Sequence, residues 1–318
     1  MPSFLAIALL SGIACVGLHV SAMSGLAGAG ILSLFSPVPL YYAAFAAGPL
    51  AGVVSAGVAA FGVALLQGEV AAVVFLAIWG LPAALVGGMA VRMGKEETGR
   101  GPGLRLSRAL EVLSACGVFL VMLGVAFLGG MTGWSNPAQK IASLLDAQVL
   151  EASTQMSLPP EAVSEMFHKL SEILPGLGGV VWLLLMFVSV VVAQRLVWKR
   201  KEEAEWNSGM AGLRLSRWVL PGFVACSFAG IFGRGIFGFA GTNLACILLV
   251  PFFVDGLAVA HAVAFRRGRR ARVWVWFLYG SLLMFNVLAI PVAGLGMMDQ
   301  WSNLRLKLVE KLPGRENE

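Results

Sequence analysis

The sequence predicts an all-α fold, a polytopic transmembrane helical bundle of about nine spans. Three observations carry this: an extremely apolar composition, uncharged runs of membrane-crossing length, and Lys and Arg gathered into clusters that alternate with those runs. The chain of 318 residues is 58% hydrophobic and 13% charged, with a mean hydropathy of +0.83. An average soluble domain has about 45–50% apolar and about 25% charged residues. The unit that matters for such a chain is the apolar run of roughly 20 residues that crosses a hydrocarbon core of about 30 Å.

The elements follow in order. No Asp, Glu, Lys or Arg precedes Glu69, so the first breaks must be read from Gly, Pro and polar residues. They fall near His19 to Gly25, at Ala47-Gly48-Pro49 and at Gln67-Gly68-Glu69, giving spans 3–22, 25–46, 49–67 and 70–92. The first lacks the basic residues that open a cleavable signal peptide, so it reads as a retained membrane helix. The second carries Ser36-Pro37-Val38-Pro39 and is expected to be kinked or partly unwound, because each proline removes a backbone donor. If it is re-entrant, the total is eight. Later spans are expected at 109–129, 176–197, 218–237, 240–265 and 273–296, all in a single transmembrane domain over 1–296, with a tail over 297–318.

Orientation follows from charge. Arg92, Lys95, Arg100, Arg105 and Arg108 fill one loop; Arg195, Lys199, Arg200, Lys201, Arg214 and Arg217 a second; Arg266, Arg267, Arg269, Arg270 and Arg272 a third. These loops, 92–108, 195–217 and 266–272, all fall on one side if every span crosses, which makes them cytoplasmic in a bacterial inner membrane. Trp198, Trp218, Trp274 and Trp276 adjoin the clusters, as indoles at the headgroup level do. The net charge of +6 therefore reflects orientation, and nothing in its distribution forms a nucleic-acid groove.

The loop 130–175 is acidic, with Asp146, Glu151, Glu161, Glu165 and Glu172 against Lys140 and Lys169, and is expected outside. Asn136-Pro137 opens one amphipathic helix there, with Ile141, Leu144, Leu145 and Val149 on its face. Pro159-Pro160 opens a second, with Val163, Met166, Phe167, Leu170 and Leu174. Such helices form a lid packed on the helix ends or a gate over a binding cavity.

Few residues offer chemistry. Asp255 lies inside the eighth span, where an ionised carboxylate is costly and marks a functional candidate by default; the alternative is a structural polar clamp. His261, Asn243, Arg234 and His19 are its candidate partners, though His261 falls on a different helical face. Glu69 sits at a span boundary, as an interfacial residue or a ligand contact. Glu111 follows Arg108 at helical spacing and reads as an ion-pair partner. Gly48, Gly52, Ala56 and Ala60 form a small-residue ridge for close helix packing. Glycines 230, 233, 235, 238 and 241 surround Arg234 in a hairpin, which is either merely flexible or an anion contact.

Cys15, Cys116, Cys226 and Cys246 lie in apolar spans without metal-ligand spacing, so no metal and no cofactor are expected. No nucleotide-binding glycine loop or paired-histidine motif occurs. Ser24 with His261 is the one nucleophile and base pairing available, and it lacks an oxyanion arrangement. The chain is therefore expected not to be an enzyme.

The stretches Phe252-Phe253-Val254-Asp255-Gly256-Leu257-Ala258-Val259-Ala260-His261 and Gly294-Leu295-Gly296-Met297-Met298-Asp299-Gln300-Trp301 with Arg305, together with Pro37-Val38-Pro39-Leu40 and Gly48, resemble the YybS-like family of bacterial membrane proteins of unknown function. That family is distantly similar to the substrate-binding S components of energy-coupling-factor transporters, so the resemblance implies an S-component-like N-terminal part. The family pattern has an uncharged amide where Asp255 stands, and the resemblance implies no carboxylate role there. The expected function is a transport-related subunit that binds or translocates a small molecule between the first six spans. It would need an external energising ATPase module. The alternative is a scaffold or assembly factor that holds membrane-protein partners or anionic membrane lipid.

Overall fold

The computed structural model describes residues 3–26, 28–96, 102–133, 137–145, 153–154, 159–198, 213–267 and 269–302. Among them the protein is helical throughout, without strands. Helices α1 (Phe4–Ser21), α2 (Ala29–Ser33), α3 (Val38–Ala47), α4 (Pro49–Gln67), α5 (Glu69–Phe75) and α6 (Leu81–Glu96) come first. They are followed by α7 (Pro102–Thr132), α8 (Pro137–Leu144), α9 (Pro160–Trp198) and α10 (Val219–Phe232). The last three are α11 (Ile236–Arg267), α12 (Arg269–Met284) and α13 (Ala289–Ser302). Seven helical stretches are long and apolar enough to cross a membrane, and Val219–Phe232 and Val273–Leu282 are shorter apolar helices. The predicted spans overlap these stretches, the ninth, 273–296, only in its first part, Val273–Leu282. Most side chains of the three basic clusters, and Asn136 and Val149 of the acidic loop, lie outside the described residues.

Where the sequence predicts a single domain, the contacts divide the chain into two compact units. One comprises Met1–Leu113, Leu184–Leu215 and Phe253–Glu318; the other comprises Ser114–Leu183 and Ser216–Phe252.

The first unit is organised around α4, which packs against α1, α3, α5 and α6. Its buried face is Ala51, Gly52, Ser55, Ala56, Ala59, Ala60 and Val63, while Leu50, Phe61, Leu65 and Leu66 stay exposed. Small residues inside and large ones outside is the pattern of a helix whose neighbours come close and whose outer face meets lipid. A Cβ on Gly12 would lie 2.7 Å from Val58 Cβ, and one on Gly62 would lie 2.7 Å from Val16 Cγ2. The pairs 12 with 58 and 16 with 62 advance together, so α1 and α4 run parallel. Ala44 of α3 is held between Gly52 of α4 and Gly87 of α6, whose added Cβ atoms would lie 2.8 and 2.6 Å from Ala44 Cβ. Gly52, Ala56 and Ala60 of the predicted ridge are buried in these contacts.

Gly48 does a different job. It joins α3 to α4 as a single residue with φ 97° and ψ 169°, and Gly68 joins α4 to α5 with φ 94° and ψ 168°. This backbone region is essentially closed to residues with a Cβ. Ala44 and Gly52 are equidistant from Gly48, and Ala56 and Gly80, also close neighbours, are equidistant from Gly68. Both joints therefore fold the chain back as antiparallel hairpins without a loop. Gly48→Ala and Gly68→Ala are each expected to destabilise by about 1–3 kcal/mol through backbone strain, although an added Cβ would meet nothing within 4 Å at either position. Thermal unfolding in detergent, with Gly57→Ala on an open face of α4 as the reference, measures the difference.

The predicted second span is two helices. After α2 the chain turns through Leu34 to Pro37 before α3 begins, as the missing donors of Pro37 and Pro39 require. The predicted fourth span is α5 and α6 joined by a π-helical segment, Leu76–Gly80. The last span is broken after Met284: a 3₁₀ turn, Asn286–Leu288, precedes α13. Pro291 sits in the first turn of α13, where its absent N–H has no helical partner to lose. This unit also brings Gly256 of α11 against the Val292 carbonyl of α13, closer than any Cβ would permit.

In the second unit, α10 and α11 form an antiparallel hairpin about Gly235, whose φ is +55°. Added Cβ atoms would meet Thr242 from Gly230, Gly230 from Gly241, and Gly233 from Gly238. The glycines of this hairpin are thus a contact surface between two backbones. The first half of α9 is the predicted second amphipathic helix, but it does not end before the span. It continues through Pro175 as one helix to Trp198.

Asn243 makes that continuity possible. Its Oδ1 accepts from Gly176 N–H at 2.6 Å, and its Nδ2 donates to the Glu172 carbonyl at 2.8 Å and to the Phe239 carbonyl at 2.7 Å. Gly176 N–H and Glu172 C=O are the groups that bond to each other in an unbroken α-helix. Proline at 175 disturbs that turn, and the buried carboxamide is inserted between the two groups and satisfies both. Gly176 is what lets it in, since a Cβ there would lie 2.9 Å from Asn243 Cα.

Candidate functional site

The polar residues singled out from the sequence occupy different places. Asn243 is fully buried; its carbonyl and one N–H are engaged with α9, and its other N–H with the Phe239 carbonyl of its own helix. It stands twelve residues before Asp255 on the same helix, a rise of about 18 Å, so the expected pairing of the two is out of reach. Asp255 is buried, with 2% of its surface exposed. His261 turns Nδ1 to the Leu257 carbonyl at 2.8 Å and sets its ring edgewise to Tyr279, centroids 5.8 Å apart. Arg234 is exposed in the turn between α10 and α11. Glu69 is the exposed first residue of α5, where the helix N-terminus favours a negative charge. Arg108 and Glu111 form an ion pair at 3.3 Å, the arrangement their spacing implies. Ser24 donates to the Ser21 carbonyl at 2.7 Å, and no bond links it to His261 among the described residues.

His19 lines a cavity. A cavity of about 520 Å³ in the first unit, open at its mouth, is bounded by His19, Ala22, Met23, Ser33, Leu34, Gln67, Ala71 and Trp79. Four local features assemble it. The last turn of α1 places His19, whose ring meets Phe75 edgewise at 5.2 Å. Helix α2 presents Ser33 before the proline turn. The joint at Gly68 reverses the chain so that Gln67 and Ala71 share one wall. The π-helical segment carries Trp79, and the extra residue per turn of such a segment re-aims the side chains it contains.

Much of the polar capacity of this wall is unengaged. Gln67 Nε2 contacts Met23 Sδ at 3.3 Å, while its carbonyl oxygen has no partner among the described residues. Neither do the His19 ring nitrogens or the Trp79 indole N–H. Ser33 Oγ donates to the Gly30 carbonyl at 2.8 Å and retains lone pairs that can accept. A mostly apolar concavity with a few convergent polar groups and a volume between about 300 and 1,000 Å³ has the character of a small-molecule site. None of its lining residues carries a fixed charge, and no group of His, Cys, Asp and Glu among the described residues could hold a metal.

Of the cavity residues the sequence reading singled out only His19. Gln67 reads there as a span boundary, and Trp79 as one aromatic in an apolar run. A π-helical register has no compositional signature, so the feature that aims Trp79 is invisible before folding. Asp299 was likewise hidden, assigned to a tail when it is in fact buried on α13.

Comparison with known proteins gives a family match. The family model described as "Predicted membrane protein (DUF2232)" matches residues 13–300. No curated protein matches the chain, and no solved structure does.

Proposed function

The chain belongs to the DUF2232 family of predicted membrane proteins, and from that premise we propose that it is a non-catalytic subunit that binds or translocates an uncharged small molecule. The observation that carries the proposal is the cavity with its unengaged His19, Gln67 and Trp79 groups. Trp79 supplies a flat apolar surface. The imidazole, the amide carbonyl and the indole N–H supply directional donors and acceptors, and the absence of a fixed charge disfavours a permanent ion as ligand. A molecule with a planar apolar body and polar edges fits this chemistry.

The cavity lies at the ends of α1 and α4 and the start of α5, opposite the end of α6 that leads into the basic loop 92–108. With the basic loops cytoplasmic in a bacterial inner membrane, the mouth faces outward. Movement of a ligand across the membrane then requires an external energising module, because the sequence contains no nucleotide-binding motif.

Native mass spectrometry of the gently extracted protein tests this. We expect a stoichiometric small molecule in the wild type and at least tenfold less in Trp79→Ala, in keeping with about 1–3 kcal/mol for a lost aromatic contact and hydrogen bond. His19→Ala is expected to weaken retention in the same direction. A protein that carries lipid alone, with both variants indistinguishable from wild type, overturns the proposal and favours a scaffold.

A further inference from the structure

We propose that Arg234 is a binding site for the phosphate of a membrane lipid, drawn toward the bilayer interior at the tip of the α10–α11 hairpin. The site is separate from the cavity and independent of its ligand.

The first argument is length. Arg217 and Arg234 bracket sixteen residues, Trp218 to Gly233, with no charge among them. At about 1.5 Å per residue this run rises about 24 Å, which is short of the hydrocarbon core of about 30 Å. Helix α10 itself has 14 residues. If Arg217 lies at one interface, the backbone at Arg234 stops below the other. A long cationic side chain in that position extends along the bilayer normal until its head meets the phosphates, and the leaflet thins locally to meet it.

The second argument is the surroundings. Arg234 is exposed and has no ion-pair or hydrogen-bond partner among the described residues. Ile231 and Phe237 are each 75% exposed, and Phe228 and Phe232 are also open, with Phe228 and Phe232 in ring contact at 4.5 Å. An unpaired guanidinium in a turn flanked along the chain by open aromatic and aliphatic side chains is unstable in hydrocarbon, and no Asp or Glu stands between Arg214 and Val254 in the sequence to neutralise it. These exposed aromatic and aliphatic side chains are compatible with acyl chains. A phosphate that carries acyl chains satisfies both requirements at once, whereas a free anion satisfies only the charge. Arginine suits the task because its planar fork can bond two phosphate oxygens together.

The hairpin holds the tip rigidly enough for a defined contact. Gly233 and Gly238 allow the two backbones to approach more closely than a Cβ would permit, so the chain reverses within three residues and Arg234 stands at the apex.

The test uses the full-length protein reconstituted in nanodiscs of phosphatidylethanolamine and phosphatidylglycerol, released into the mass spectrometer from gentle detergent. Retained phospholipids are counted for wild type, Arg234→Gln and Arg234→Lys. We expect the glutamine variant to lose one phospholipid, with roughly tenfold lower occupancy, as for loss of a charge-assisted bond. Arg234 is exposed, so neither substitution is expected to disturb folding, and the lysine variant, which keeps the charge, is expected to retain most of the lipid. Equal retention in all three proteins overturns the proposal. Displacement of the retained species by inorganic phosphate at millimolar concentration also overturns it, because the site would then select a free anion.

Discussion

Replacement of Asn243 by alanine is expected to destabilise the protein by about 3 kcal/mol or more. The substitution leaves Gly176 N–H and the Glu172 carbonyl facing an apolar void. A buried polar group that loses its partner costs about 1–3 kcal/mol each. The second N–H of the carboxamide, bonded to the Phe239 carbonyl, disappears together with its partner's bond. Asn243→Asp, which keeps the shape, is expected to be no milder, because a carboxylate brings an acceptor against the Glu172 carbonyl where a donor is needed.

The cause of the loss is specific and can be separated from a general packing defect. Pro175→Ala restores the missing donor of α9 and allows Gly176 and Glu172 to bond to each other again. In the Asn243→Ala background it should therefore recover a substantial part of the loss, on the order of 1–2 kcal/mol. Chemical unfolding of the four proteins of this cycle in one detergent gives the coupling energy. Additive effects of the two substitutions would contradict the insertion of the amide into the proline turn.

Gly256→Ala is expected to be comparably severe for a different reason. An added Cβ would run into the Val292 carbonyl oxygen and also lie 3.1 Å from Val292 Cγ1. The nearest obstacle is backbone, which cannot swing aside as a side-chain terminus can. Helices α11 and α13 must then separate, at a cost of about 3 kcal/mol, the upper part of the range for overpacking. Asp255 adjoins this contact and is buried, so the separation would also admit water beside its carboxylate. Thermal unfolding of Gly256→Ala beside Gly280→Ala, where an added Cβ meets nothing within 4 Å, checks it. A loss no larger than at Gly280 would mean that the two helices do not meet as described.

The legible part of this protein was the part governed by transfer free energy. Apolar runs of span length and the glycines at 48 and 68 mark helices and joints from composition alone, and the α4 boundaries, Pro49 and Gln67, are those the sequence predicts. What escaped was governed by partners distant in sequence. Pro175 read as the edge of a span, because nothing near it shows that an asparagine 68 residues later will mend the turn. Asn243 read as a ligand candidate for the same reason: a polar residue inside a span is equally compatible with a bound molecule and with a broken helix. His19 was visible as a histidine at a span end, yet its neighbours Trp79 and Gln67 were not, since their convergence depends on the hairpin at Gly68 and on a π-helical register.

The two single-glycine joints bear on how the protein enters the membrane. No Lys or Arg precedes Arg92, so the nascent segment that holds α1 to α5 passes the translocon with no lysine or arginine to tell it which end stays behind. The joints already dictate that α3, α4 and α5 alternate in direction, whichever way the first of them points. If charge sets the orientation, one decision made later, at the first basic cluster, orients the whole block, and early helices inherit their sidedness from residues synthesised after them. Moving that cluster, without any change to the first 68 residues, would be enough to turn the amino-terminal block over.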